Sequence, residues 1–593
     1  MKWSFTSKKR EIISLRFFGI NLDKFKFKIN SFQQGRKTQK LKYKPKKKPL
    51  QKIDLKGFPL SNVLICFFSC LIAGFCLPSN SAGWISAFKA GFAFFALIPF
   101  FRILLTCNSI KMAGLFSFVG GFAFNIWAFK FILGIYPLDW MDIPNDLSFW
   151  ASIIGLLLAT LLQASFWAIY GIIFKLMQNT IGINVFTSLK ASLLWIFLIE
   201  QINLYVSAIP WSFYYQTQQA NSVFIQIADF MGASSISFTL IFINITLTLL
   251  SLFLFPESKS KYYSNKKNYK ENKLSLDLNQ IIPLCLQGLV LILILYTYGF
   301  FSLANKDSTE SFINQKKALL LQADLPIEQT RFLQSNAQSY LKLLNELNFS
   351  NQQISLIALP EGSLSKEQAN IFSQKALMLS PITDLIIGNY FNDSALQKTY
   401  NSAIAFKAKV KLEKKNHFSC QLNDYKPVSK KPQIYIKRIL VPFGEFIPFP
   451  EFFGFILEKF NLDYLVKNNF TTDDKPIVFD LNAGKFAPIL CYEIAYPKII
   501  HQQVKKGAEV LILMGDISWF HSQKQDLAWQ MLSLAKFRAI ESRRDILIII
   551  NQGPLAIINR YGEIKQLNLS SQSLIADYNL NSKTSYFTLS QWL

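Results

Sequence analysis

Seven apolar stretches in the first half of the chain constrain its fold more than any other feature. Each is long enough, at roughly 20 residues, to cross the hydrocarbon core of a bilayer as a helix. Their approximate bounds are 58–77, 83–101, 112–134, 148–176, 185–203, 230–255 and 281–302. The chain is also 51% hydrophobic, which is more apolar than an ordinary soluble enzyme. We therefore predict a membrane domain of about seven transmembrane helices over residues 57–303, in which only 185–203 also fits a core helix.

Loop charges predict the orientation, because cytoplasmic loops of membrane proteins are rich in Lys and Arg. Residues 1–56 hold 18 basic and three acidic residues, so they carry +15 of the net charge of +26. Three later loops contain or border basic residues: 102–111, 175–190 and 256–280. Three others contain neither Lys nor Arg: 78–83, 136–146 and 201–222. We expect a cytoplasmic N-terminus, and seven crossings then put residues 304 onward outside the cytoplasm.

The basic segment 1–56 is predicted to be a solvated cytoplasmic extension. Lysines alternate with Phe at 24–28, but most of the segment is Lys, Gln and Ser, a composition that does not support a packed core. We interpret it as a tail that touches anionic lipid headgroups. A targeting sequence and a nucleic-acid-binding arm are the alternatives.

Beyond residue 304, apolar strands alternate with helical segments, which is typical of an α/β layered domain. Strands are predicted at 317–322, 354–358, 384–388, 486–490, 509–514 and 545–551. Helices are predicted near 328–346, 366–378 and 523–544. We assign residues 304–580 to this domain and 581–593 to a C-terminal tail.

Cys491 is the candidate nucleophile of this domain. It follows the apolar run 486–490 and precedes Tyr492 and Glu493, so a strand that stops there presents its thiol above the sheet. The backbone N–H of Tyr492 then lies where an oxyanion would form. A thiol is only a few per cent ionised at neutral pH, so a nearby base or cation must activate it.

Two other segments supply such groups. Glu361 follows the apolar run 354–358 and is the candidate base. Lys437 precedes the run Leu-Val-Pro-Phe-Gly-Glu that ends at Glu445, and it can stabilise both a thiolate and an oxyanion. Glu445 and Glu493 are then supporting carboxylates that position Lys437 or shuttle a proton.

These three motifs, in this order and downstream of a membrane region, resemble those of the nitrilase superfamily, and within it the apolipoprotein N-acyltransferases. The resemblance covers residues 57–575 and implies the catalytic triad Glu361, Lys437 and Cys491. It also implies a fold: a polytopic α-helical membrane domain plus an α/β nitrilase-like α-β-β-α sandwich.

The function implied by the resemblance is acyl transfer at the bacterial inner membrane, with the catalytic domain on the periplasmic side. An acyl chain would pass from a phospholipid donor, through a thioester, to the α-amine of diacylglyceryl-modified apolipoproteins, without a cofactor. A membrane-tethered amidase and a catalytically silent module that binds lipid or lipoprotein are the alternatives.

Other reactive residues are interpreted as structural. None of the three histidines, His417, His501 and His521, lies in a recognisable motif, and we expect all three to be solvated at the surface rather than part of a Cys–His enzyme. No Cys/His spacing indicates a metal site. A disulfide between Cys420 and Cys491 is an alternative, although residues 409–431 are typical of a surface loop.

Aromatic residues suggest how lipid reaches the thiol. Segment 446–460 is rich in Phe, and Phe449, Phe452 and Phe453 are candidate lipid contacts of a lid on the membrane surface, with packing inside the domain as the alternative. Trp211, in a Pro-Trp element resembling that of the family, is a further lipid-binding candidate or an interfacial anchor.

The sequence also departs from the family pattern. It has Gly-Asp at 515–516 where the family shows Asn-Asp, no Trp near 322–331, and no apolar stretch near residue 593 long enough for a final span. We expect these departures to affect substrate contacts more than the triad, and we expect a C-terminus outside the cytoplasm.

Overall fold

The computed structural model describes residues 59–581 except for 82, 140–142, 207–208, 256–277, 306–314, 329–335, 348–352, 380–381, 394–395, 409–431, 449–453, 455–469 and 523. The predicted extension 1–56 lies outside these described residues, and so does the predicted tail 581–593 except for Asn581. So do the lysines of the 256–277 loop.

The first half of the described chain is helical. Its main helices are α1 (Leu60–Phe75), α2 (Gly83–Phe92), α3 (Ile98–Thr106), α4 (Ile110–Ala128), α5 (Asn145–Ile181), α6 (Thr187–Val206), α7 (Ser234–Leu254) and α8 (Leu278–Ala304). Five of them, α4 to α8, are long and apolar enough to cross a membrane, and α1 is an apolar helix of 16 residues. Residues 83–101 do not form one helix as predicted. Turns at 93–97 separate α2 from α3, and Pro99 lies in the first turn of α3. Proline is tolerated in the first turn of a helix but breaks or kinks a helix interior, so one continuous helix through this position is disfavoured.

Small residues let α4 and α5 pack closely. A Cβ atom on Gly121 would lie 2.5 Å from the Trp167 ring, and one on Gly171 would lie 2.1 Å from the Ser117 hydroxyl oxygen. Helices in a bilayer associate largely through such close packing, because lipid supplies no hydrophobic drive between them.

The second half of the described chain contains twelve strands and four main helices. The strands are β1 (Gln315–Leu321), β2 (Ile354–Ser365), β3 (Asp384–Asp393), β4 (Lys398–Phe406), β5 (Gln433–Ile436), β6 (Phe479–Leu481), β7 (Gly484–Leu490), β8 (Val510–Asp516), β9 (Asp545–Asn551), β10 (Leu555–Ile558), β11 (Ile564–Asn568) and β12 (Ser573–Asn579). The helices are α9 (Asn336–Glu346), α10 (Lys366–Leu379), α11 (Pro497–Lys505) and α12 (Lys524–Ser542).

The strands form two six-stranded sheets that pack face to face. One sheet has the order β12-β1-β2-β3-β4-β5 and the other β11-β10-β9-β8-β7-β6. Strands β1 to β3 are parallel, as are β7 to β9, and the other pairs are antiparallel. Buried side chains of both sheets, among them Leu356 and Phe486, form the core between them.

Helices cover both outer faces of the sheet pair. Tyr340 of α9 and Phe372 of α10 pack against the first sheet. Helices α11 and α12 cover the second sheet, and their core is continuous with that of the membrane helices. The predicted α-β-β-α sandwich is therefore confirmed, and α12 has a membrane-domain neighbour on the side away from its sheet.

The loops after α1, α4 and α6 contact this part of the chain. The Asn80 side chain donates to Gln525 (3.1 Å), the backbone N–H of His521 donates to the carbonyl of Gly134 (2.7 Å), and Lys536 donates to the carbonyl of Gln219 (2.6 Å). The loops that are predicted to lie outside the cytoplasm thus contact the α/β domain.

The other helix ends meet one another. Arg102, in the middle of α3, donates to the carbonyl of Phe255 after α7 (2.7 Å), and Gln178 near the end of α5 donates to the carbonyl of Leu105 near the end of α3 (2.9 Å). The residue after α7 and the C-terminal parts of α3 and α5 therefore meet one another, while the loop-charge topology stays a prediction.

A buried polar cluster joins the end of α12 to the membrane region. Arg543 donates through Nε to Asp229 (2.9 Å) and through Nη1 to Gln226 (2.9 Å). Its Nη2 donates to Ser302 of α8 (2.8 Å), and Tyr298 of the same helix donates to Asp229 (2.6 Å). One guanidinium group thus connects three segments of the chain.

Candidate active site

Three strands carry the predicted triad to one edge of the sandwich. Glu361 lies in β2, Lys437 directly follows β5, and Cys491 directly follows β7. Strands β2 and β7 belong to different sheets, and the packing of the two sheets brings their carboxyl ends together, since the charges of Glu361 and Lys437 both act on the Cys491 thiol. The strand of Glu361 differs from the prediction, since β2 continues through this residue to Ser365.

Strand β2 is irregular at Glu361, which explains how a mid-strand carboxylate enters the site. Its pairing with β3 shifts register between Leu359 and Leu364, and Gly362 has a φ of +63°. The bulge presses on β3 at Gly388, where a Cβ atom would lie 2.0 Å from the Pro360 carbonyl oxygen. Only glycine fits there without displacing β2.

Lys437 binds both candidate carboxylates. Its ammonium nitrogen lies 2.8 Å from Glu361 Oε1 and 2.9 Å from Glu445 Oε1, and all three side chains are buried. Glu445 Oε2 accepts a further hydrogen bond from the backbone N–H of Val441 (2.7 Å), which fixes the carboxylate in its loop. Glu445 is therefore a positioning partner of Lys437.

Asn401 of β4 is a site residue that the sequence did not reveal. Its side-chain amide donates to Glu361 Oε1 (2.6 Å) and to Glu445 Oε1 (2.5 Å), and its backbone carbonyl accepts from the N–H of Lys437 (2.8 Å). Its side chain thus holds both carboxylates near the lysine, and its backbone carbonyl fixes the position of Lys437 at the end of β5. Asn401 lies in a strand that also contains Lys398, Thr399 and Ser402, so the local sequence does not distinguish it.

Cys491 occupies a strained turn. Its φ of +46° lies in the left-handed region that a residue with a Cβ rarely adopts, and such strain is concentrated at functional sites. The residue is partly exposed, and its thiol is free. Beyond it, residues Cys491–Ala495 form a short 3₁₀ turn that presents the thiol above the sheet edge.

Glu493 stabilises this turn and does not contact Lys437. Its Oε1 accepts from the Tyr435 hydroxyl (2.8 Å) and the Arg438 N–H (2.7 Å), and its Oε2 accepts from the Leu490 N–H (2.8 Å). The buried carboxylate therefore ties the end of β5 to the end of β7. These contacts fix the residues next to Lys437 and Cys491, and the predicted role of positioning the Lys437 ammonium directly falls to Glu445.

The electrostatics of the three groups follow from their burial and mutual contact. Burial raises the pKa of Glu361 to about 7, with repulsion from Glu445 adding to it and Lys437 opposing it. Burial raises the pKa of the Cys491 thiol well above its usual range, as does the charge of Glu361, while Lys437 lowers it. Burial lowers the pKa of Lys437, but the two carboxylates outweigh it and hold the group charged.

Trp211 connects the thiol turn to the membrane domain. Its ring stacks on that of Tyr492 at 5.7 Å between centroids and 13° between planes. Its indole N–H donates to Gln530 of α12 (2.6 Å), whose amide donates to the carbonyl of Ala128 at the end of α4 (3.1 Å). Trp211 is only 3% exposed, so in this structure it packs between domains instead of standing at the lipid surface.

The histidines differ from the prediction that all three are solvated. His501 of α11 is buried, because its helix packs this face against α12, and burial lowers its pKa to about 3, aided by Arg538 and Lys505. His521 is exposed, as predicted, and His417 lies outside the described residues. Phe449, Phe452, Phe453 and Cys420 also lie outside them, so the lid stays a prediction, and Cys491 is a free cysteine in the described residues.

Within the described ranges, no group of three or more His, Cys, Asp or Glu side chains is arranged to hold a metal ion.

Comparison with known families matches both halves of the chain. Residues 74–246 match the family model described as apolipoprotein N-acyltransferase N-terminal domain, and residues 321–569 match the carbon-nitrogen hydrolase family. The second match includes all three predicted triad residues.

Two curated relatives of this chain are named apolipoprotein N-acyltransferase. A Haemophilus ducreyi apolipoprotein N-acyltransferase is 24% identical over 439 residues, which are 72% of this chain and 76% of the relative. A Borreliella burgdorferi apolipoprotein N-acyltransferase is 37% identical over 138 residues, but this match spans only 25% of that protein's length. Among solved structures, Saccharomyces cerevisiae Nit3 of the nitrilase superfamily is 16% identical, with a TM-score of 0.31. The superposition covers 45% of this chain and 90% of the Nit3 chain.

Proposed function

Because this chain belongs to the apolipoprotein N-acyltransferase family, we propose that it transfers an acyl chain from a phospholipid to the α-amine of a diacylglyceryl-cysteine on apolipoproteins. The observation that carries the proposal is the arrangement at the sheet edge. A strained thiol follows β7, and a buried lysine held between two carboxylates follows β5. Such a set supports nucleophilic attack on an acyl carbon and does not require a cofactor.

In the first half-reaction, the sulfur of Cys491 forms a bond to the carbonyl carbon of a phospholipid ester while Glu361 takes the thiol proton. The pKa of about 7 fits Glu361 for this exchange near neutral pH. When the ester C–O bond breaks, Glu361 returns the proton to the leaving oxygen. The products are a thioester on Cys491 and a lysophospholipid.

The oxyanion formed in each step needs donors in place before the reaction. Lys437 has three N–H bonds, of which two point at Glu361 and Glu445. The third is available for the oxyanion, and the backbone N–H of Tyr492 is the second donor that we propose. Because Glu445 and Asn401 hold the lysine in position, little reorganisation is needed during the reaction.

In the second half-reaction, the α-amine of the lipoprotein attacks the thioester carbon. Glu361 takes a proton from the attacking nitrogen, the C–S bond breaks, and the proton passes to the sulfur. The products are an amide and the free thiol of Cys491. Both substrates are membrane lipids, which fits a catalytic domain attached to a membrane domain, and we infer that it lies on the periplasmic side of the inner membrane.

A thioester-trapping experiment tests this function. The purified protein is incubated without acceptor with a phospholipid that carries a labelled acyl chain, and its intact mass is measured. We expect one acyl increment on Cys491, released by hydroxylamine and absent in Cys491→Ala. Adding a diacylglyceryl-cysteine peptide should move the label to the peptide's α-amine.

Variants of the other two residues sharpen the test. Glu361→Gln and Lys437→Ala should each reduce thioester formation by at least about 100-fold, the lower end of what a general base or an oxyanion donor contributes. His521→Ala, an exposed residue outside the motifs, is the control and should retain activity. Label appearing only as free fatty acid would instead indicate a hydrolase, and no adduct under any condition would indicate a silent binding module.

A further inference from the structure

Arg438, the residue after Lys437, has a guanidinium group whose donors are mostly unused. Its Nη2 donates to Gln502 of α11 (2.7 Å). Its Nε and Nη1 atoms are buried, and neither has a hydrogen-bond partner among the described residues. A buried charged N–H without an acceptor is costly. The arrangement therefore indicates that an acceptor occupies this position when the protein works.

The position lies beside the thiol turn. The backbone N–H of Arg438 donates to Glu493 Oε1, and the N–H of Leu490 donates to the other oxygen of the same carboxylate. One carboxylate thus separates the Arg438 backbone from the residue that precedes Cys491. Both Glu493 oxygens are already engaged, so this acid does not serve the guanidinium as an ion-pair partner.

A second cation extends the site toward the membrane domain. Lys498 lies four residues before Gln502 and therefore on the same face of α11. Its ammonium nitrogen is 5.5 Å from the ring centre of Tyr205 in the last turn of α6. The ring of Tyr205 is 52% exposed. Through Gln502, Arg438 is thus connected to the face of α11 that carries Lys498, and Lys498 contacts the end of a membrane helix.

We propose that Arg438 binds the phosphate group of the phospholipid acyl donor, with Lys498 adding to the positive field. This inference rests on the function proposed above. The Nε–H and Nη1–H bonds of Arg438 point in different directions, so each can donate a separate charge-assisted hydrogen bond, and a phosphodiester oxygen is a matching acceptor. In the donor, a short glycerol segment separates this phosphate from the ester that Cys491 attacks.

The chemistry of the second substrate excludes it as the occupant. The reacting group of the acceptor is an amine, which is cationic when protonated and is repelled by a guanidinium. Arg438 is therefore expected to act in thioester formation and not in transfer to the amine. A purely structural role for Arg438 would not produce this difference between the two half-reactions.

The test compares two acyl donors in single-turnover experiments with the full-length protein in detergent micelles. One donor is phosphatidylglycerol with a labelled acyl chain, and the other is p-nitrophenyl palmitate, which has no phosphate. Arg438→Ala should slow thioester formation from phosphatidylglycerol by about 10- to 100-fold, the value of a lost charged hydrogen bond. Its reaction with the nitrophenyl ester should match that of the unmodified protein.

Two further variants keep the test decisive. Arg438→Lys retains the charge without the planar guanidinium donors, so it should show an intermediate rate with phosphatidylglycerol, and it covers the case in which the alanine variant misfolds. Lys485→Gln removes an exposed charge at the opposite end of β7 and should react normally with both donors. When acyl-enzyme made from the nitrophenyl ester is mixed with acceptor peptide, the transfer rate should be the same with and without Arg438.

Other results would overturn the proposal. Equal losses with both donors would show that Arg438 only maintains the structure of the site. A nitrophenyl-ester rate that depends on millimolar inorganic phosphate in the unmodified protein, but not in Arg438→Ala, would assign the position to free phosphate. If the unmodified protein forms no thioester with either donor, the proposed function fails as well, which is a different outcome from loss in the variant alone.

Discussion

At the scale of single residues, the site depends on the balance of three buried charges. Burial raises the pKa of Glu361, repulsion from Glu445 adds to the rise and Lys437 opposes it, and the same lysine limits the rise for the Cys491 thiol. The motifs predicted Glu361, Lys437, Cys491 and Glu445, because each lies next to an apolar run or in a Pro/Gly-bounded turn. Asn401 was not predicted, because one polar residue in a strand has no distinguishing pattern.

The raised pKa of Glu361 makes thioester formation pH-dependent. The group acts as a base only when ionised, so the rate should rise as pH increases through about 7 and level off above it. The measurement is the single-turnover rate of thioester formation from labelled phospholipid between about pH 5.5 and 8.5. Imidazole groups titrate in the same range, so His521→Ala is the control and should leave the profile unchanged. A flat or falling profile would contradict the assignment of Glu361 as the base.

At the scale of elements, the long apolar strands were predictable and the short or polar ones were not. Strands β1, β2, β3, β7, β8 and β9 correspond to predicted strands, because they are buried on both faces and form continuous apolar runs. Strands β4, β5, β6, β10, β11 and β12 were missed, because each is short or interrupted by polar residues. The bulge in β2 was also missed, since it depends on contact with Gly388 in a neighbouring strand rather than on the local sequence.

That contact leads to a test of the bulge. In Gly388→Ala the new methyl group would lie 2.0 Å from the Pro360 carbonyl oxygen and 2.5 Å from Glu361 Cα, so β2 must move. A displacement of about 1 Å at a catalytic group can cost about 100-fold in rate, and we expect a loss of this size in thioester formation. Gly91→Ala is the matched control, because no atom lies within 4 Å of its added methyl group. Thermal unfolding should show that the Gly388→Ala protein is folded; full activity would contradict the role of the bulge.

At the scale of the whole molecule, the two halves fit together through contacts that no local pattern contains. Trp211, Asp229 and Gln219 of the membrane half meet Gln530, Arg543 and Lys536 of the catalytic half. Hydropathy predicted the helical region, but it does not show which polar residues pair across several hundred positions. The turns between α2 and α3 were missed for a related reason, since an apolar run looks the same whether one helix or two short ones form it.

The orientation of the whole molecule remains a prediction that reporter fusions can test. The loops containing Asn80, Gly134 and Gln219 contact the catalytic half, while the residues around Arg102 and Gln178 gather at the other helix ends. If basic loops are cytoplasmic, the catalytic half must be outside. Alkaline phosphatase, which is active only outside the cytoplasm, should therefore be active when fused after residue 310 and inactive when fused within 259–273. A fusion at 220, in a loop without basic residues, should be active as a control, and the reverse pattern would invert the proposed topology and remove the catalytic half from the periplasm.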